Sequence, residues 1–305
     1  MKYQKFYLFA IALIVSGLFF AGCEDSNDPV EPDPVKEVKA PTDLMATSLS
    51  DSEIAIKFEH SVSKNEDYFL DYYVTLAPGI FEPVILDKKT NMHIFKDLQK
   101  ETEYTITVVA RNIDKNESEK IEIRWATATR FETNVNDEPI RLYEYASKLG
   151  SGLQIFDEDG LKPKTLTVAS KDKWNVALDT RDAKQLLFGS ASKIEFGAGT
   201  ALNPAELGTK LWFANSLNEV YDSEALNEGV VFGENIFNLL DPDFTDAMNR
   251  SIVLILRVKN GNDYNYAKIL IKRDSQGNFL QGQKDNRYVE CVISYQSGKN
   301  LPYAK

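Results

Sequence analysis

From Ala40 onward this chain repeats one pattern: short runs in which apolar and polar residues alternate, each closed by a turn cluster. A period of two puts every apolar side chain on one face of a strand, so the pattern predicts an all-β chain. Ile54, Ile56 and Phe58 alternate with Ala55 and Lys57, and Tyr104, Ile106 and Val108 alternate with Thr105 and Thr107. Ile121, Ile123 and Trp125 repeat the pattern, with further strands expected at residues 73–76 and 94–95. The span 40–130, about 90 residues, is the size of one β-sandwich.

Residues 131–305 read as a second, larger β-rich domain with antiparallel strands. Strands are expected at residues 153–156, 174–178, 186–188, 211–213, 251–258, 264–271 and 288–295. Asp159-Gly160, Asn260-Gly261-Asn262-Asp263 and Asp274-Ser275-Gln276-Gly277-Asn278 supply turns between them. Residues 218–249, rich in Asn, Asp, Glu and Gly, read as a long loop region with a short helix near 243–250. Long loops of this kind are where ligands are often met.

The first 22 residues are of another kind. Lys2 and Lys5 precede an apolar segment, 6–20, which is too short for a membrane span of roughly 20 residues but suits a signal peptide. Phe20-Ala21-Gly22-Cys23 resembles the signal of bacterial lipoproteins, with Phe20 in place of the usual Leu. That resemblance implies cleavage before Cys23 and lipidation of its thiol, anchoring the chain in an outer membrane. An ordinary cleavable signal with an incidental cysteine is the plain alternative. Residues 23–39 carry acids with Pro29, Pro32 and Pro34, and read as a solvated tether. Acids directly after the cysteine also resemble the surface-export signal of Bacteroidota lipoproteins, which implies a location facing the cell exterior.

Hydrophobic content of 43% is enough for real cores. The formal net charge of −11, with 35 Lys+Arg against 46 Asp+Glu and no basic stripe, argues against nucleic acid as a partner. Of the two cysteines, Cys291 falls in a strand and reads as a small buried hydrophobe.

Ala40-Pro41-Thr42-Asp43-Leu44, the segment Leu98 to Ala110 with Tyr104 at a corner, and Thr127-Ala128-Thr129 resemble the first strand, corner and closing strand of fibronectin type III modules. Tyr104 would tie its hydroxyl back to nearby backbone, and Phe58 stands where most members carry a core tryptophan. Such a module implies a spacer. His60 and His93, the chain's two histidines, both fall here and read as surface or edge residues, with no thiols or carboxylates near them at metal spacing.

Lys173-Trp174-Asn175-Val176-Ala177-Leu178 is similar to an early Trp-Asp-Ile-Ala-Phe-like strand of the HmuY family of heme-binding lipoproteins. The order of a strand at 252–259, Asn260-Gly261, Tyr266-Ala267-Lys268-Ile269, Gly277 and a strand at 288–295 resembles the end of that family. The resemblance implies an HmuY-like fold and a heme or porphyrin ligand. Yet the family holds iron with His or Met pairs, and this domain has no His and only Met248. Tyr221, Tyr264 and Tyr266, in or beside loops, are the remaining candidate ligand residues with Met248.

No phosphate loop, metalloprotease His pair or nucleophile elbow is present, so the chain is read as non-catalytic. The acids Asp157, Glu158 and Asp159, or Asp241 and Asp243, read as solvated faces, although paired acids can serve a glycosidase. The loops 241–243 and 274–278 lack the twelve-residue calcium pattern. Trp174 and Trp212 read as core rather than as a platform for sugar rings. The expectation is a surface lipoprotein that binds a heme-like ligand or, alternatively, a glycan as accessory to polysaccharide uptake, with a TonB-dependent outer-membrane transporter as partner.

Overall fold

In the computed structural model, which describes residues 36–155, 162–194, 196, 199–223 and 230–301, the alternating runs become the strands of two β-sandwiches. The leader, Cys23, the tether as far as residue 35, Asp159-Gly160 and the acids Asp157 to Asp159 lie outside the described residues.

The first sandwich comprises β1 (Thr42–Ser50), β2 (Glu53–Glu59), β3 (Phe69–Ala77), β4 (Val84–Leu86), β5 (Met92–Phe95), β6 (Glu103–Asn112) and β7 (Ile121–Ala126). A three-stranded sheet, β1-β2-β5, faces a four-stranded one, β4-β3-β6-β7. The inward set of each alternation fills the core: Ile54, Ile56 and Phe58 from β2, Ile106 and Val108 from β6, Ile123 and Trp125 from β7. Tyr104 forms the expected corner, its hydroxyl accepting the Gln99 N–H at 2.7 Å. Residues 36–39 do not belong to the tether. Val38 is buried, and the Lys39 N–H and Lys36 carbonyl are bound by Ser63 and Asn112, so this short stretch packs on the sandwich.

Thr127-Ala128-Thr129 does not close the first sandwich, because β7 already does. Thr129 instead opens β8 (Thr129–Phe131), which pairs with β19 (Tyr288–Tyr295) of the second sandwich. The other strands there are β9 (Ile140–Tyr143), β10 (Gly152–Gln154), β11 (Lys164–Leu166), β12 (Val176–Asp179), β13 (Leu187–Ser190), β14 (Ala205–Phe213), β15 (Phe232–Gly233), β16 (Ile236–Asn238), β17 (Ile252–Asn260) and β18 (Asp263–Lys272). One sheet of five runs β11-β10-β12-β13-β16. A sheet of seven runs β15-β14-β17-β18-β19-β8, with β9 also on β19. The expected loop 218–249 therefore contains two short strands, and the helix expected near 243–250 is a single 3₁₀ turn at Pro242–Phe244. Pro242 fixes the start of that turn, and the Phe244, Ala247 and Met248 spacing does not extend it into a helix.

The β17–β18 hairpin closes in two residues, since Asn260 pairs with Asp263, and Gly261 takes φ 67° at the first central position, as such a turn requires. Gly152 is required for a different reason: a Cβ there would lie 2.0 Å from the Trp174 ring, which is fully buried as expected.

Each face of the seven-stranded sheet is covered. Leu254, Leu256, Ile269, Ile271, Cys291 and Ile293 meet Leu153, Val176, Leu178 and Phe188 of the five-stranded sheet. Ile255, Tyr266 and, at its margin, Trp212 pack on the first sandwich. On that side Ala46 of β1 exchanges backbone hydrogen bonds with Asp222 at 2.8 and 2.9 Å, which covers an otherwise open strand edge. Lys268 is fully buried there, its Nζ 3.5 Å from the Val220 carbonyl and 5.3 Å from the Trp125 ring centroid. Burial pulls its ammonium down to about 8 against the attraction of Asp222, and burial raises the Asp222 carboxyl. The described residues from Lys36 onward thus form one body.

Candidate functional site

The open end of the second sandwich meets the corner of the first at a cleft of about 850 Å³. Lys100 and Glu101 come from the corner before β6; Thr129 and Phe131 from β8; Gln154 from the end of β10. Asp172, Lys173 and Asn175 precede β12, Leu202 and Asn203 precede β14, and residues 258–261 and Tyr295 close the wall.

Asn175 holds the five-stranded side together. Its Oδ1 accepts the Ile155 N–H at 2.7 Å, its Nδ2 donates to the Asn203 carbonyl at 2.6 Å, and its own carbonyl accepts Ala205 N–H at 2.9 Å. One buried residue, through its side-chain amide and its own carbonyl, thereby fixes three segments. Leu202 N–H donates to the Asp172 carbonyl at 2.8 Å, fastening the loop above. On the opposite wall Asn265, nearly fully buried, accepts from Asn260 Nδ2 at 2.8 Å and donates to the Ser297 carbonyl at 2.8 Å. Ser297 Oγ in turn donates to Glu101 Oε1 at 2.6 Å, joining the two sandwiches across the cleft. Glu101 has φ 59°, a left-handed conformation unusual for a residue with a side chain. At the base, burial and then the Glu101 charge raise the Tyr295 hydroxyl well above its ordinary value. The Thr129 Oγ1 is buried there without a hydrogen-bond partner, a group that is costly to leave unpaired.

None of the four residues singled out as ligand candidates lines this cleft. Tyr264 and Tyr266 do come together, two residues apart on the face of β18 toward the first sandwich, but Arg257 closes over them. Its guanidinium lies 4.0 Å from the Tyr264 ring and is held by Glu206 at 2.6 Å, while Tyr266 is buried edge-on to Phe232. Tyr221 lies beneath Lys57 Nζ at 4.6 Å, and Met248 stands 68% exposed in the turn before β17. His60 Nδ1 is 3.0 Å from the Tyr72 hydroxyl, and His93 stacks edge-on with Phe95. Burial lowers the pKa of both histidines. These side chains do not fit a porphyrin iron: none lines this cleft or a second, smaller one, and Arg257, Lys57, Tyr72 and Phe95 pack on Tyr264, Tyr221, His60 and His93.

Several carboxylates elsewhere are occupied by cations. Arg287 holds Glu144 below its ordinary range although burial would raise it, and Lys272 and Arg141 do the same for Glu290. Arg250 brings Asp246 to about 2. Asp241 accepts from Asn238 Nδ2 at 2.7 Å, and Asp274 closes its own turn on the Gln276 and Asn278 N–H groups. Among the described residues no three His, Cys, Asp or Glu side chains are grouped to hold a metal ion. The cleft residues are spread from Lys100 to Ser297; those that fall in sequence motifs, among them Lys100, Glu101, Thr129, Lys173, Asn175, Asn260 and Gly261, signalled strands and turns, not a site.

Residues 39–124 match the fibronectin type III domain family, so the first sandwich is a domain of that kind, covering well under half of the chain. It is similar to the solved fn3 domain of human collagen alpha-1(XX) chain, at 20% identity over 32% of this chain and 93% of that one, with a TM-score of 0.27. It is similar also to the fn3 domain of human contactin 1, at 21% identity over 35% of this chain and 96% of that one, with a TM-score of 0.25. No curated protein matches the chain.

Proposed function

We propose that this chain is a non-catalytic capture protein, lipid-anchored through Cys23 on the exterior of a Bacteroidota outer membrane, that receives a saccharide in the cleft. The observation carrying this reading is the cleft's lining: the side-chain amides of Gln154 and Asn203 and the Oδ1 of Asn260, set on a wall that the buried Asn175 holds in place, with a single tyrosine and few apolar groups. Amides both donate and accept, which suits the hydroxyls of a sugar and not the apolar plane of a porphyrin. The order of the β17, β18 and β19 strands keeps the likeness to the HmuY family as a proposal about fold, without its iron ligands. The captured ligand would pass to a TonB-dependent transporter in the same membrane.

Native gels containing polysaccharide test the reading. The full chain is expected to be retarded, and the Gln154→Ala/Asn203→Ala variant to run free; equal mobility of both in every polysaccharide would sink it. Hemin added to the protein is expected to leave the Soret band at its free position. Cys23→Ser is expected to move the protein out of the membrane fraction.

A further inference from the structure

Three lysines reach the cleft from three separate segments: Lys100 at the corner of the fibronectin module, Lys173 before β12, and Lys259 at the end of β17. All three are exposed, and none is ion-paired with a described residue. Two carboxylates share the lining: Glu101, which accepts from Ser297 Oγ, and Asp172. A basic rim is unusual on a chain of net charge −11, whose acidic surface repels anions elsewhere. Lysines placed apart as point charges, with amides between them, match a ligand that carries both hydroxyls and spaced negative groups.

Resting on the saccharide reading above, we infer that the ligand is an anionic saccharide, bearing carboxylate or sulfate groups. The fibronectin module is then part of the binding site through Lys100 and not a spacer alone. Neutral sugars would leave the lysines idle; an anionic chain crossing the cleft would meet all three.

Isothermal titration of the full chain tests this with polygalacturonate, dextran sulfate, neutral dextran and carboxyl-reduced polygalacturonate. Tighter binding of polygalacturonate or dextran sulfate than of their neutral counterparts is expected, and which of the two binds distinguishes carboxylate from sulfate. Affinity should fall as salt rises. Lys100→Ala, Lys173→Ala and Lys259→Ala should each weaken it about twofold to fivefold. Lys88→Ala and Lys284→Ala, exposed and outside the cleft, should leave it unchanged; losses as large there would mean diffuse attraction and overturn the inference. Equal binding of neutral and anionic chains, with silent cleft lysines, overturns it while leaving saccharide capture intact. Binding of no saccharide at all overturns both. Loss at Lys173 and Lys259 but not at Lys100 removes the fibronectin module from the site.

Discussion

On β18, Ala267, Ile269 and Ile271 point toward the five-stranded sheet, while on the other face Tyr266 and Lys268 meet the fibronectin module and Leu270 packs on Leu217 and Val220, and both sets are buried. The first face is uniformly apolar and packs as a sandwich interior does. The second carries a lysine against Trp125, the Arg257–Glu206 pair beside two tyrosines, and the Asp222 carboxylate. An apolar face accepts any apolar partner of fitting shape, whereas buried charges tolerate only the arrangement that answers them. One face therefore supplies stability, and the other sets how the module docks and where its corner meets the cleft.

Substitutions can break this contrast, beginning with the apolar face. Leu254→Ala removes a fully buried side chain between the sheets and should cost about 4 kcal/mol, read as a lowered urea midpoint. Lys268→Met leaves the buried Asp222 with only the weaker attraction of Lys210 and should cost about 3 kcal/mol. Adding Asp222→Asn should recover much of that loss, because the uncompensated charge is gone. If the double variant is no better than the single one, the pair does not set the docking.

The pH dependence sharpens the same point. Lys268 titrates in the folded chain at about 8, below its ordinary 10.5. Between those values the unfolded chain binds the extra proton, so stability gains as pH rises through that window, and below about 8 the burial penalty is full. Wild type should therefore gain on Lys268→Met in urea midpoints taken from pH 7 to 10; parallel curves would refute this. The smallest effect is expected for Tyr266→Phe, which takes from Arg257 a hydroxyl partner and should cost about 1 kcal/mol.

The fibronectin module was legible because its signals are local. Tyr104 sits five residues from the N–H it binds, and the alternations of β2, β6 and β7 each name their buried side directly. In the second sandwich the strands of the β17–β19 meander were legible for the same reason. The candidate site was not. Tyr264 and Tyr266 looked available because their strand begins at a turn, but alternation cannot reveal that both faces of a strand are covered when the second cover is another domain. The cleft residues, for their part, come from segments such as 100–101, 172–175 and 258–261, and no window of sequence contains enough of them to form a pattern.

By itself the sequence determined the all-β class, the fibronectin module with its corner, and the order of the last strands, since each follows from period, turn chemistry or a contact only a few residues long. Tertiary structure alone decided that Thr129 joins the second sandwich, that Lys268 is buried against Trp125, and that Lys100, Lys173 and Lys259 share one cleft. Those outcomes depend on how two covered sheets stack, and stacking brings together residues that no local period relates.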